Sequence, residues 1–254
     1  MTGTPIIELD SRTPGAVDGR QIRAVTFQAV RLEYVAATLE RLAPPAGRRT
    51  ALVIGAGRGL LARGLADLGM DVVALDPSPE ATAMAREADG DRGVEYRTAP
   101  AEDPGLPDAA FDLVYCADTF EITPDLDAVL GHAARLLRPG GTLFYDTVNR
   151  TPVSRLIYLG AFQALPMTRI MPRGRYSADR LRTPEEVTAA LAAHGLRNRD
   201  VTPFKPASGG DLVKATLARR KGRITDEELP ARVRFVLAPE ERPIVTYLGH
   251  ARRD

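Results

Sequence analysis

Three glycines and one aspartate are the residues whose types and spacing could do chemistry. They are Gly55, Gly57 and Gly59 in the run Ile-Gly-Ala-Gly-Arg-Gly that starts at Ile54, and Asp76 about twenty residues further on. Glycine lets the backbone pass close under a ligand, and a carboxylate at the tip of the next strand can accept both hydroxyls of a ribose. The spacing is G-x-G-x-G rather than G-x-G-x-x-G. It argues against a pyrophosphate on the helix N-terminus and for a nucleoside without phosphates, the kind of ligand that S-adenosylmethionine is. The competing reading is an ordinary α/β turn with glycines for packing, and Asp76 speaks against it.

Such residues need a strand–loop–helix–strand unit to hold them. Ala51–Ile54 is an apolar run too short for a helix, Leu60, Leu61, Leu65 and Leu68 follow at helical spacing, and Val72–Leu75 is a second apolar run ending at Asp76. Pro79 opens a helix to about Ala88, Val94–Arg97 reads as a third strand and Phe111–Cys116 as a fourth. Leu126–Leu137 reads as a helix, Arg138–Gly141 as a turn, and Thr142–Thr147 as a fifth strand. This alternation predicts a parallel, doubly wound α/β sheet with helices on both faces. Gly55, Asp76, Glu102 and Ala117 should then converge at the carboxyl ends of its strands.

Before this unit, residues 1–19 read as a flexible arm and Arg20–Leu42 as one amphipathic helix stopped by Pro44 and Pro45. After it, residues 20–254 continue as one domain with two inserts. In the first, at about 151–183, Thr151-Pro152 caps an apolar helix and a tail carrying Arg169, Arg173, Arg175, Arg180 and Arg182 follows. That combination fits a substrate lid, an interfacial anchor giving peripheral membrane contact through residues 153–182, or a helix packed on the sheet edge. Thr183-Pro-Glu-Glu186 predicts a capped helix to about His194, and Leu196–Thr202 a sixth strand. In the second insert, at about 214–242, Leu212–Arg220 is strand or helix, after a loop at Ser208–Gly210, and Thr225–Leu229 starts another helix. Pro243–His250 reads as the last strand.

Composition narrows the class. The chain has 254 residues and a net charge of +1, enough for one α/β domain and no argument for any charged partner. Residues 1–150 hold 15 Lys+Arg against 22 Asp+Glu, and residues 151–254 hold 19 against 11, so the basic surface lies in the second part. The basic residues are not interleaved with aromatics, which disfavours nucleic acid. A single cysteine, Cys116, excludes an internal disulfide and fits a reducing compartment. No charged-then-apolar leader and no apolar stretch near the ~20 residues of a bilayer span is present, so a cytoplasmic protein is expected.

In this order the motifs resemble a class I S-adenosylmethionine-dependent methyltransferase, and more narrowly the O-methyltransferase family of ubiquinone biosynthesis. The general part is Gly55–Gly59, Asp76, Ala101-Glu102, Phe111–Val114 and Arg138–Gly141. The narrower part is Val30–Tyr34, Thr147–Ser154 with the apolar helix and Met171–Gly174, and Tyr247–Arg253. The resemblance implies a Rossmann-like sheet of seven strands, parallel with an antiparallel last strand. It implies cofactor contacts at Arg31, Gly55, Ala56, Gly57, Gly59, Asp76, Ala101, Glu102 and Ala117, with Arg31 near the methionine carboxylate, Asp76 on the ribose and Ala101-Glu102 beside the adenine. Two departures stand out. Val53 sits where class I enzymes often carry an acid, and the family's E-x-x-E-H, a divalent-metal site, reads Asp118-Thr-Phe-Glu121-Ile122. Isoleucine coordinates nothing, so no metal ligand is assigned.

Methyl transfer from a sulfonium needs an in-line approach and exclusion of water, and a phenolic acceptor, with a pKa near ~10, also needs a base. Asp118 and Glu121 are the candidate bases, with His250 more distant; the alternative for both carboxylates is loop capping or a hydrogen bond to the cofactor. His132 and His194 fall on predicted helices, and Cys116 has no base beside it. Three functions remain open. They are methylation of a hydroxyl on a small aromatic, quinol-like or secondary-metabolite acceptor, methylation of nitrogen or carbon in another metabolite, and a non-catalytic cofactor- or lipid-binding role.

Overall fold

The computed structural model describes residues 6–42 and 47–254, so Pro44 and Pro45, expected to stop the first helix, lie outside the described residues. The first helix, α1 (Gly19–Glu40), starts where the Asp18 carboxylate accepts from the backbone N–H groups of Arg20 and Gln21. Ile22, Phe27, Val30, Tyr34 and Val35 form its buried face. Before it, the segment from Ile6 runs along the body: Ile7 bridges to Val17, Val17 is wholly buried, and Asp18 pairs with Arg58 of the glycine loop at 2.8 Å.

The expected alternation follows as β1 (Thr50–Ile54), α2 (Leu60–Asp67), β2 (Asp71–Asp76), α3 (Pro79–Glu87), β3 (Glu95–Thr98), β4 (Phe111–Cys116), α4 (Leu126–Leu136) and β5 (Leu137–Val148). Strand order across the sheet is β3-β2-β1-β4-β5, all parallel, then β8 (Thr246–Arg253), β6 (Leu196–Pro206) and β7 (Phe235–Leu237). β8 runs antiparallel to both β5 and β6, as the last strand was expected to. Successive residues of β1 and β4 point into two separate cores, Val53 and Tyr115 toward α1 and α2, and Leu52, Ile54, Val114 and Cys116 toward α4. Burial on both faces explains why these strands are unbroken apolar runs rather than alternating ones.

Four details depart from expectation. The sheet has eight described strands rather than seven, because Phe235–Leu237 adds an antiparallel edge strand to β6. Arg138–Gly141 is a bulge carried inside β5: Phe111 pairs with Leu137 and Leu113 already with Thr142. Ser208-Gly-Gly210 opens a helix, α7 (Gly209–Arg220), since the Ser208 hydroxyl caps the Asp211 N–H at 3.3 Å. The apolar helix after Thr151 is one regular piece, α5 (Pro152–Arg155), which passes into a π-helical turn over Leu156–Ala161.

The capping box at Thr183 and Glu186 starts α6 (Pro184–Ala193) as read from sequence, and a short α8 (Leu229–Arg232) precedes β7. Among the described residues no helix is long and apolar enough to cross a membrane. In β8, Gly249 lies against the ring of its β5 neighbour Tyr145, where an added Cβ would come within 2.8 Å of Cε2. Gly249→Ala is therefore expected to destabilise the protein by about 1–3 kcal/mol through overpacking, read as a lower urea midpoint with unchanged slope.

Candidate active site

The glycine loop is shaped by what it touches. Gly55 leaves β1 with φ +77°, and a Cβ there would strike the Ala117 carbonyl and sit 2.7 Å from Thr119 Oγ1, so the tips of β1 and β4 close on each other only through glycine. The Gly57 N–H donates to Asp76 Oδ2 at 2.7 Å, and the Ser78 N–H donates to Oδ1 at 3.0 Å. Arg20, from the first turn of α1, completes the set by pairing with both oxygens of Asp76 and with Asp10 at 2.9 Å. Asp76 is thus 2% exposed and ties three segments together, where the sequence suggested a strand tip open to a ligand. Arg20, Arg31, Gly55, Ala56, Gly57, Ala117 and Asp118 line one narrow crevice with a volume of about 20 Å³.

Three of the residues grouped with these by sequence, Gly59, Ala101 and Glu102, do not line the crevice. A Cβ on Gly59 would lie 2.7 Å from Cε1 of Tyr96, so this glycine serves helix–strand packing at the start of α2. Glu102 accepts from the Thr123 hydroxyl beyond the tip of β4, and neither it nor Ala101 lines the crevice.

Beside the crevice lies a buried cluster of ions. Asp118, in the left-handed region at φ +47°, pairs through Oδ2 with Arg31 at 2.8 Å and through Oδ1 with Arg23. The same Arg23 nitrogen, Nη2, donates to Glu121 Oε1 at 2.8 Å, and Thr147 donates to Glu121 Oε2 at 3.0 Å. Arg31 Nη2 also donates to Asp146 Oδ2 at 2.6 Å. Three carboxylates therefore share two guanidiniums, in a place where charge is costly to leave unpaired. Burial resists ionisation of Asp118, but the two guanidiniums outweigh it and hold the carboxyl well below the usual carboxylate range. Burial raises Glu121, with Arg23 opposing and Asp118 adding to the rise, and burial pushes Asp146 up to about 7 against the pull of Arg31.

On the other side of Arg23 is a cavity of about 450 Å³. Phe27 of α1, Tyr158 and Ile157 of the π-helical turn, Phe204 of β6, Leu212 of α7 and Phe235 of β7 give it apolar walls. Arg23 is 4% exposed; its guanidinium carbon stands 5.1 Å from the Tyr158 ring centre and 5.3 Å from that of Phe27, and Nη1 donates to the Tyr176 hydroxyl at 2.8 Å. Since Asp118 lines the crevice and Arg23 the cavity, their ion pair is the wall between the two.

The remaining candidates lie elsewhere. His250 Nδ1 is 2.9 Å from the Tyr34 hydroxyl, which donates to Asp200, and burial lowers its pKa. His194 meets Asp127, His132 meets Arg135, and the Cys116 thiol is wholly buried with its pKa pushed up by that burial. Among the described residues no group of three or more His, Cys, Asp or Glu side chains is placed to hold a metal ion. Sequence reasoning missed Asp10, Arg20, Arg23 and Asp146. A signal existed for two of them: Arg23 falls on the buried stripe of α1 one turn from Phe27 and two from Arg31, and Asp146 is the one charged residue in the buried stretch of β5 from Gly141 to Val148.

The sequence model of a methyltransferase domain matches residues 52–145. The chain is similar to a ubiquinone biosynthesis O-methyltransferase of Xanthomonas axonopodis pv. citri (strain 306), 39% identical over 188 residues that span 73% of this chain and 76% of that one. Among solved structures it is similar to an S-adenosylmethionine-dependent methyltransferase from Mesorhizobium loti, at 25% identity and a TM-score of 0.57, covering 87% of this chain and 98% of the other. It shares its fold with a methyltransferase from Thermotoga maritima described as a possible histamine N-methyltransferase, at 18% identity and a TM-score of 0.56, covering 92% and 98%.

The cluster makes stability depend on pH in two opposite ways. Asp146, raised to about 7, binds its proton more tightly folded than unfolded, where the pKa is about 3.9; its contribution is full below about pH 4 and is lost as pH rises through about 7. Asp118, depressed, contributes above the unfolded value and loses that contribution as pH falls toward its folded one. Asp146→Asn should therefore flatten the decline of the urea midpoint between about pH 5 and about pH 8 while leaving the acid-side decline in place. An unchanged slope above about pH 5 would take Asp146 out of the proton balance.

Proposed function

Since the chain belongs to the ubiquinone biosynthesis O-methyltransferase family of S-adenosylmethionine-dependent methyltransferases, we propose that it methylates a hydroxyl of an apolar, quinol-like acceptor seated in the 450 Å³ cavity. The observation that carries this reading is the Asp118–Arg23 pair, which stands between a glycine-lined crevice and an apolar cavity. When bound, S-adenosylmethionine supplies a methyl group already activated on a sulfonium. The chain's residues suit such a ligand. Gly55, Ala56 and Gly57 allow close backbone approach, Arg31 has a buried Nε with no protein partner near the place for the methionine carboxylate, and Ala117 closes the floor. Asp76 is the residue for the ribose, which requires Arg20 to yield part of its hold.

The chemistry left to the chain is placement, exclusion of water and removal of one proton. The apolar walls do the second; for the third, Glu121, held on Arg23 just behind the cavity wall, is the better proton acceptor of the two carboxylates because burial raises it. Asp118, kept ionised by two arginines, fixes their position.

The exposed side chains of Val153, Leu156, Leu165 and Met167, with Val213 and Ile244 at the rim of the cavity, form an apolar surface beside the arginines of the first insert. That composition supports peripheral contact with an anionic membrane, from which an apolar acceptor could enter.

Two outcomes check these readings. Asp76→Asn should weaken S-adenosylhomocysteine binding about 10-fold or more by titration calorimetry; it should also lower the melting temperature, since the carboxylate holds Gly57, Ser78 and Arg20 together. Unchanged affinity would remove Asp76 from the site. The protein should co-sediment with phosphatidylglycerol vesicles at low salt and be released by about 0.5 M NaCl, and Leu156→Ser with Met167→Ser should abolish sedimentation. Equal sedimentation of that double variant would leave the insert as a lid only.

A further inference from the structure

We propose that the Arg23 guanidinium does at the acceptor end of this site what a divalent cation would do: it bridges Asp118 and Glu121 and binds the acceptor oxygen as that oxygen loses its proton. The inference rests on the O-methyltransferase reading above. The metal that the sequence resemblance implies does not fit the residues present. The third ligand position is Ile122, packed against the apolar core. The two carboxylates converge instead on one nitrogen, Arg23 Nη2, and their other oxygens are taken by Arg31 and Thr147. An ion entering here would have to displace a buried arginine from both.

Arg23 has what an oxyanion site needs. It is buried among Phe27, Tyr158 and Tyr176, which raise the strength of any charge contact by excluding water. It lines the acceptor cavity, and its Nε is buried with no partner, a donor that an acceptor oxygen would satisfy. The charged and titratable groups facing it are Asp118 and Glu121 from the tip of β4, Tyr158, Arg175 and Tyr176 from the first insert, and Arg31 beyond Asp118.

The step balances without a change in the charge of the cluster. The acceptor's O–H bond breaks and its proton passes to Glu121. Arg23 exchanges one anionic partner, the carboxylate, for another, the phenolate. The acceptor oxygen then forms its bond to the methyl carbon as the carbon–sulfur bond breaks, the electron pair staying on sulfur, and Glu121 returns the proton to water. A guanidinium keeps its charge at any working pH, so the site needs no loading with metal.

The test uses the full chain with S-adenosylhomocysteine and 4-nitrocatechol, whose ionisation is visible in its absorption, together with turnover of a dodecyl-substituted catechol. In the unaltered protein, bound nitrocatechol should ionise about one unit or more below its value in water. Turnover should stay within about twofold after EDTA treatment and on adding Mg²⁺ or Zn²⁺. Arg23→Gln should cancel the spectral shift and lower kcat about 100-fold while S-adenosylhomocysteine binds within about threefold of normal, and Arg23→Lys should restore part of both. Loss of turnover with EDTA and its return with a metal would overturn the proposal, as would an undiminished shift in Arg23→Gln. Should that variant not fold, the EDTA arm and the shift in the unaltered protein decide by themselves. A protein that binds S-adenosylhomocysteine but neither shifts nor methylates any catechol would refute the quinol-like acceptor, a failure distinct from one confined to Arg23.

Discussion

The buried ion cluster at the tip of β4 is the constraint on which the rest of this structure depends. Four charged side chains, Arg23, Arg31, Glu121 and Asp146, stand out of water and a fifth, Asp118, is only partly exposed; each is tolerable only because the others are there. Removing one member leaves an opposite charge buried without a partner, which costs about 3–5 kcal/mol in comparable cases. The cluster therefore fixes α1 against the ends of β4 and β5 more specifically than apolar packing could. Hydrophobic contact is non-directional, whereas a guanidinium shared between two carboxylates admits one register.

A second layer of ionic contacts extends this arrangement toward the N-terminus. Asp18 caps α1 and pairs with Arg58, and Arg20 joins Asp10 to Asp76. The segment ahead of α1 is thereby tied to the glycine loop, and the same carboxylate that could hold a ribose is part of the fold's own bonding. Binding a nucleoside here is an exchange of partners at Asp76, so affinity reflects the difference between two sets of hydrogen bonds and not the sum of one.

The apolar cavity is assembled from elements far apart in the chain: α1, the π-helical turn, β6, α7 and β7. Of these, α1 precedes the first strand of the sheet and the others lie in the chain between β5 and β8. The crevice belongs to the βαβ unit at the point where strand order reverses between β1 and β4. Arg23, which lines the cavity, and Asp118, which lines the crevice, join the two through their ion pair.

The sequence by itself determined the strands and helices from Thr50 to Val148, because apolar periodicity, glycine and capping residues act over a few neighbours and are written locally. It also determined the glycine loop with Asp76, the pair Asp118 and Glu121, and the α6 capping box, each a short motif. It misjudged Ser208-Gly-Gly210, where a serine cap outweighed two glycines, and the bulge at Arg138–Gly141, which depends on pairing with Phe111. Only the tertiary structure decided that Asp76 is buried under Arg20, that Glu102 and Gly59 stand apart from the crevice, and that Arg23 and Asp146 join the carboxylates. The reason is physical: an ion pair between residues 23 and 121, or 31 and 146, leaves no local pattern, since its energy appears only when packing removes both partners from water and places them within hydrogen-bonding reach.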